Sequence, residues 1–88
     1  MVVDVYVKPE PTKRGEIECR QCIMTEKVME QKGVEFNRHI LTDETSAKFK
    51  DELGFMSAPV VLIHDAEGEL IDSWAGFQPL KIGGLLAA

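Results

Sequence analysis

Basic residues are few in this sequence, and they form no cluster. The chain has 10 Lys and Arg residues against 15 Asp and Glu residues, so its formal net charge at pH 7 is −5. A surface that binds nucleic acid needs a basic patch to offset the repulsion between phosphates. We therefore expect no nucleic-acid partner, and we interpret the mildly acidic surface as favouring solubility.

Long apolar runs are also missing. No run approaches the roughly 20 residues that a membrane-spanning helix needs, so we expect no membrane segment. Met1 leads directly into a strand-like run at residues 2–7, without the basic and apolar regions of a signal peptide. We therefore expect a cytoplasmic protein, and stable structural disulfides are rare in that compartment.

Cysteine is scarce as well, because Cys19 and Cys22 are the only two in the chain. A zinc site needs about four ligands. The two histidines, His39 and His64, lack the close spacing that is usual for paired zinc ligands, and we interpret them as incidental residues at strand ends. We expect no bound metal. Zinc or cluster binding, a structural disulfide and a pair of inert buried thiols stay open as alternatives to redox chemistry.

The apolar pattern predicts an α/β fold in a single domain over residues 1–88. The expected order is β-α-β-α-β-β-α, with a four-stranded mixed sheet flanked by three helices. The expected elements cover residues 2–7, 20–32, 34–41, 44–53, 59–63, 69–73 and 80 to about 86. Residues 10–18 are polar and carry charges of both signs, which predicts a solvated loop, with contact to a partner as the alternative.

Several apolar positions are expected to face the core. The strand at residues 2–7 is too apolar for a surface strand, which predicts burial on both of its faces. In the first helix, Met24 and Met29 are interpreted as core fillers. The inward candidates of the second helix are Ala47, Phe49 and Leu53. The carboxylates Asp4 and Asp72 are interpreted as ordinary edge charges.

The two cysteines lie three positions apart at the start of the first predicted helix. One helical turn brings such residues together, so a disulfide can open and close there without dismantling the fold. The free N–H groups at a helix N-terminus stabilise a thiolate. We predict that Cys19 is the exposed nucleophile with the lower pKa, and that Cys22 is the buried resolving cysteine. This pattern beside a βαβ unit is typical of thiol–disulfide exchange.

Five motifs in order along the chain resemble the glutaredoxin-like NrdH-redoxins. They are Val5-Tyr6-Val7-Lys8-Pro9, Cys19-Arg20-Gln21-Cys22, Leu53-Gly54-Phe55, Ser57-Ala58-Pro59-Val60-Val61 and Trp74-Ala75-Gly76-Phe77-Gln78-Pro79. The resemblance implies a thioredoxin fold with Pro59 in the cis form beside the cysteines, whereas the residues alone leave cis and trans open. It also implies partner-binding roles for Arg20, Gln21, Ala58, Pro59, Trp74, Gly76 and Phe77.

The resemblance also implies partners. Members of this family bind no cofactor, are reduced by thioredoxin reductase at the expense of NADPH, and pass electrons to class Ib ribonucleotide reductase. A monomer is expected. The Gly-Gly element and acidic residue with which glutaredoxins bind glutathione are replaced by Trp74-Ala75-Gly76-Phe77, which favours a glutathione-independent carrier. A glutathione-dependent glutaredoxin is the alternative, and a non-catalytic binding or metal-handling module is an alternative of another class.

One departure from the family pattern is an insertion at residues 10–18. In the family, the Lys-Pro pair is followed almost at once by the first cysteine of the motif, whereas nine residues stand between Pro9 and Cys19 here. A longer surface loop costs little entropy, so the insertion is either tolerated or changes the choice of partner.

Overall fold

The computed structural model describes residues 1–9 and 19–85. The predicted loop at residues 10–18 and the last predicted residue of the third helix lie outside the described residues. The elements are β1 Val2–Val7, α1 Arg20–Gln31, β2 Asn37–Ile40, α2 Asp43–Leu53, β3 Val60–His64, β4 Leu70–Ala75 and α3 Pro79–Gly84. Their types and order are those that the apolar pattern predicts.

The four strands form one mixed sheet in the order β2-β1-β3-β4. Strands β1 and β2 pair in parallel, while β3 pairs antiparallel with both β1 and β4. A parallel pair needs a long crossover, and α1 supplies it between β1 and β2. This crossover helix carries the two cysteines at its start. The predicted fold class, a thioredoxin fold, is confirmed.

Strand β1 is fully buried on one face only. Val3, Val5 and Val7 are at most 3% exposed and share a core cluster with residues of α1 and α3. On the other face Val2 is 44% exposed, while the ring of Tyr6 packs edge-on against Phe49 of α2 at 4.8 Å between centroids. The prediction of burial on both faces is wrong, because α2 covers that side of the strand only in part.

Helix α2 carries its own start and stop signals. The hydroxyl of Thr42 accepts a hydrogen bond from the Thr45 N–H at 3.1 Å, and the Thr45 hydroxyl accepts one from the Thr42 N–H at 2.8 Å. This reciprocal pair satisfies two N–H groups at the helix start. At the other end Gly54 has φ 72°, a left-handed conformation that costs glycine little. The helix therefore ends at residue 53, as the sequence predicted.

The inward face of α1 differs from the predicted one. Its buried residues are Cys22, Thr25 and Met29, which lie at helical spacing, so the prediction for Met29 is confirmed. Met24 is 43% exposed, because it lies two positions from Cys22 and therefore points to a different side of the helix. The prediction that Met24 fills the core is wrong. No pattern in the apolar residues indicated that polar Thr25 would be buried.

In α2, only Phe49 of the predicted inward residues is buried. Leu53 is half-buried, and Ala47 is exposed, so the inward prediction for Ala47 is wrong. Position 47 lies two residues before Phe49 and therefore on another side of the helix. Among the described residues, no helix has the length and apolar character needed to cross a bilayer.

Candidate active site

Cys19 and Cys22 form a disulfide with their Cα atoms 5.3 Å apart. Cys19 is the N-cap of α1 and has extended backbone geometry, while Cys22 lies in the first helical turn. Cys19 is half-buried, whereas Cys22 is 3% exposed. One sulfur is therefore open to an incoming disulfide, and the other lies behind it in the core.

The start of α1 favours negative charge on the outer sulfur. The Cys19 Sγ accepts a hydrogen bond from the Cys22 N–H at 3.3 Å. No acidic residue occupies the first turn of α1, and Arg20 lies there, exposed. Unpaired N–H groups and the helix dipole both stabilise an anion at this position. This geometry suits the predicted nucleophile, although the assignment of roles to the two cysteines stays a prediction.

The segment that precedes β3 contains the expected cis peptide bond, between Ala58 and Pro59. Ala58 belongs to the same buried cluster as Cys22, and Cys19 packs against that cluster. The Pro59 carbonyl accepts a hydrogen bond from the Gly76 N–H at 2.8 Å. Both Ala58 and Pro59 have buried side chains. Neither residue therefore presents a side chain to a partner, whereas the preceding Met56 and Ser57 are exposed.

Gln21 joins the start of α1 to the connection between β4 and α3. Its side-chain Oε1 accepts a hydrogen bond from the Phe77 N–H at 3.1 Å. Gly76 has φ 81°, and a Cβ atom at this position would lie 3.0 Å from the same Gln21 oxygen. The site therefore uses glycine at residue 76 for two reasons, its backbone conformation and the space that the Gln21 amide occupies. Sequence reasoning named both residues but not the contact between them.

Trp74 lies in the core and not on the surface. Its side chain is 2% exposed, and the Lys81 Nζ lies 5.2 Å from the ring centroid. A direct contact between this ring and a partner, as the resemblance implied, would require the core to open. Alternation along β4 turns Trp74 inward, and the chain then brings Gly76 and Phe77 to Gln21. Among the residues given partner-binding roles, Arg20 and Gln21 are exposed and Phe77 is half-buried.

Asp4 lies at the centre of a polar cluster on the other face of β1. One carboxylate oxygen lies 2.8 Å from the His39 Nε2 and 3.2 Å from the Asn37 Nδ2. The second oxygen lies 3.7 Å from the His64 Nδ1. Burial of the ring and the nearby Asp4 carboxylate raise the pKa of the Tyr6 hydroxyl. Both histidines lie at or near strand ends, as interpreted from the sequence, and their contacts with Asp4 add a polar link from β1 to β2 and β3 that the sequence did not indicate.

Two further features concern ligands. Within residues 1–9 and 19–85, no group of three or more His, Cys, Asp or Glu side chains is arranged to hold a metal ion. A groove of about 410 Å³ runs between α2 and the segment before β3. Its apolar lining includes Pro9, Phe49, Phe55, Met56 and Ala58. Sequence reasoning did not predict this groove, because its wall combines residues that are distant along the chain.

The mixed sheet, the cysteine pair at the start of α1 and the cis-proline segment define a thiol–disulfide oxidoreductase of the thioredoxin fold. The chain is similar to the glutaredoxin-like protein NrdH-redoxin from Escherichia coli, with 28% identity and a TM-score of 0.71. The alignment covers 97% of this chain and 95% of that one. The resemblance to the glutaredoxin-like NrdH-redoxins that the motifs indicated is thereby confirmed.

A second solved structure supports the fold alone. Thioredoxin (Mala s 13) from Malassezia sympodialis is 19% identical, with a TM-score of 0.53, over 97% of this chain and 74% of that one. No protein-family model and no curated protein sequence matches the chain.

Proposed function

We propose that this protein is a small cytoplasmic electron carrier that reduces protein disulfides. Its client is the large subunit of class Ib ribonucleotide reductase, and thioredoxin reductase regenerates it at the expense of NADPH. It works as a monomer without a bound cofactor. The observation that carries this proposal is the half-buried Cys19 at a helix N-terminus with the fully buried Cys22 one turn behind it. Similarity to E. coli NrdH-redoxin, described as having a thioredoxin-like activity profile, supports it.

The reaction proceeds in two exchanges. The Cys19 thiolate attacks one sulfur of the client disulfide, which forms a mixed disulfide and releases one client thiolate. The Cys22 thiolate then attacks the Cys19 sulfur, so the Cys19–Cys22 bond forms and the second client thiolate leaves. Both client thiolates take up protons. The client disulfide gains two electrons, and the carrier dithiol loses them.

The neighbours of Cys19 position the client. Arg20 and Gln21 are exposed beside the outer sulfur, and Phe77 is tied to Gln21 by its N–H. Ala58 and Pro59 present no side chain to the client, because both residues are buried. Trp74 is buried in the core beneath these residues. Arg20 and Phe77 therefore supply the side-chain contacts that distinguish one partner from another.

The decisive experiment uses the two single-cysteine variants with the purified large subunit of a class Ib ribonucleotide reductase. Cys22→Ser should accumulate a mixed disulfide with that subunit, visible as a band that disappears on reduction. Cys19→Ser is the matched control and should form none. If Cys19→Ser instead forms the adduct, the assignment of roles is reversed. If neither variant forms it, this client is excluded.

The source of electrons is tested separately with insulin as the disulfide substrate. NADPH consumption should require thioredoxin reductase and should not occur with glutathione and glutathione reductase. Turnover with glutathione alone would favour a glutaredoxin. Loss of insulin reduction in Cys19→Ser separates both redox functions from a binding module, whose function would survive that substitution.

A further inference from the structure

Thr25 is a buried polar residue without an evident role. It is 0% exposed, and its hydroxyl has no hydrogen-bond partner among the described residues. An unpaired hydroxyl in the core is unfavourable, so native proteins keep few of them. Such a group in a native structure calls for an explanation, and a redox or catalytic role is one of those that native proteins show.

Thr25 stands one helical turn behind Cys22. The two residues share the inward face of α1 at a spacing of three positions. Side chains at this spacing are neighbours, and side chains on a helix tilt toward its N-terminus. The Thr25 side chain is therefore directed toward the turn that carries the Cys22 sulfur.

Little else around Cys22 would stabilise a negative charge on its sulfur. Every packed element presents apolar side chains in this cluster, namely Val3, Val5 and Val7 of β1, Val61 and Ile63 of β3, Trp74 of β4 and Ile82 of α3. Arg20 at the start of α1 is exposed. Among the described residues, Thr25 is the only buried residue that is polar or charged. A thiolate on Cys22 is therefore desolvated and needs a hydrogen-bond donor from nearby.

We propose that Thr25 is a positioning residue whose hydroxyl donates a hydrogen bond to the Cys22 thiolate during resolution of the mixed disulfide. In the disulfide, the Cys22 sulfur is held by its bond to Cys19, and the Thr25 hydroxyl makes no hydrogen bond to it. Once Cys22 is a free thiolate, the same hydroxyl finds a charged acceptor. This inference rests on the proposed function, because it requires Cys22 to be the resolving cysteine.

Two other assignments explain the observations less well. Threonine hydroxyls in helices often bond a carbonyl three or four residues earlier, but the described residues show no such bond for Thr25. The Trp74 Nε1 is also buried without a partner among the described residues. It lies on β4, whereas Thr25 shares its helix face with Cys22.

The test measures the pKa of Cys22 in a Cys19→Ser background, from the rate of alkylation as a function of pH. Thr25→Val removes the hydroxyl at nearly constant volume and should raise the Cys22 pKa by about one unit or more. Thr25→Ser should restore the original value. Met29→Leu is the matched control, because it alters the same helix face without a hydroxyl and should leave the pKa unchanged.

The effect on exchange follows from the same shift. With both cysteines present, a one-unit rise lowers the Cys22 thiolate fraction at neutral pH about tenfold, and the gain in nucleophilicity returns roughly a factor of three. Resolution of a preformed mixed disulfide should slow about threefold. The rate at which Cys19 is alkylated in reduced protein should not change.

An unchanged Cys22 pKa in Thr25→Val overturns the proposal, and so does a failure of Thr25→Ser to restore it. If Thr25→Val does not fold, Thr25→Ala provides the same measurement with a residue that favours helices. Failure of the proposed function gives a different result: Cys22→Ser would then trap no client, whatever the pKa of Cys22.

Discussion

The two long helices begin in opposite ways. Helix α2 starts with Thr42 and Thr45 bonded to each other, and its first turn contains Asp43 and Glu44. Helix α1 starts with a sulfur as its cap and has no acidic residue in its first turn. Carboxylates and hydroxyl caps satisfy the N–H groups and the positive end of the dipole. The start of α2 is therefore neutralised by its own residues, while that of α1 is left for the charge on Cys19.

The two starts also depend on different parts of the chain. The cap of α2 is local, because its hydrogen bonds span three residues. The start of α1 is held by the hydrogen bond that the Phe77 N–H donates to the Gln21 Oε1, 56 residues away in sequence. A helix start that serves stability can be built from neighbouring residues, whereas one that serves chemistry is held by the tertiary structure. Three substitutions test this contrast.

The largest expected effect is at Gly76. Gly76→Ala places a side chain at φ 81° and within 3.0 Å of the Gln21 amide oxygen. The backbone conformation costs about 1–2 kcal/mol. Displacement of Gln21 from the Phe77 N–H adds about 1 kcal/mol. The free energy of unfolding of the oxidised protein, measured in urea, should fall by the sum of these two costs. Exchange with insulin should also slow.

Gly68→Ala is the matched control for Gly76→Ala. Gly68 has φ 84°, and no described atom lies within 4 Å of the position that a Cβ would occupy there. This variant should therefore show the backbone cost alone. In a Gln21→Ala background, Gly76→Ala should likewise lower the free energy of unfolding by the backbone cost alone. Equal costs for Gly68→Ala and Gly76→Ala in the natural background would show that the Gln21 contact contributes nothing.

The cap of α2 should have an intermediate effect, confined to stability. Thr42→Ala removes the hydroxyl that accepts from the Thr45 N–H, which should lower the free energy of unfolding by about 1 kcal/mol. Thr42→Ser keeps the hydroxyl oxygen, so its free energy of unfolding should stay close to that of the original protein. Insulin reduction by reduced Thr42→Ala should proceed at the original rate. A slower exchange would mean that the two helix starts are not independent.

The smallest expected effect concerns the pKa of Cys19. Arg20→Glu gives the first turn of α1 the kind of carboxylate that Asp43 supplies in α2. A charge near a helix N-terminus changes the pKa of a neighbouring group by about half a unit. The pKa of Cys19, measured by alkylation in a Cys22→Ser background, should rise by about this amount. Arg20→Gln removes the charge without reversing it and should give a smaller rise in the Cys19 pKa. If the Cys19 pKa in Arg20→Glu equals or falls below that of the protein with Arg20, the proposed electrostatics is contradicted.

Much of the fold could be predicted because its signals are local. The apolar runs at β1 and β3, and the glycines that end α1 and α2, lie within a few residues of the features they specify. Errors arose where burial depended on a neighbouring element. Met24 and Ala47 are apolar, yet they point away from the sheet. Their hydrophobicity did not indicate which side of each helix the sheet would cover.

The candidate site shows the same division. The spacing of Cys19 and Cys22 at a helix start indicated the chemistry directly, because one helical turn brings them together. The cis form of Pro59 came only from the family resemblance. The cluster around Asp4 could not be read from the chain, because its members come from three different strands.

The sequence by itself determined which two atoms exchange electrons, since a helical turn places the cysteines without help from the rest of the chain. Only the tertiary structure decided how differently the two sulfurs are placed. The sheet and α3 bury Cys22, while Gln21 is held to the turn at Gly76 and Phe77. The physical reason is that hydrogen bonding along one turn is local, whereas desolvation depends on every element that packs against the sulfur.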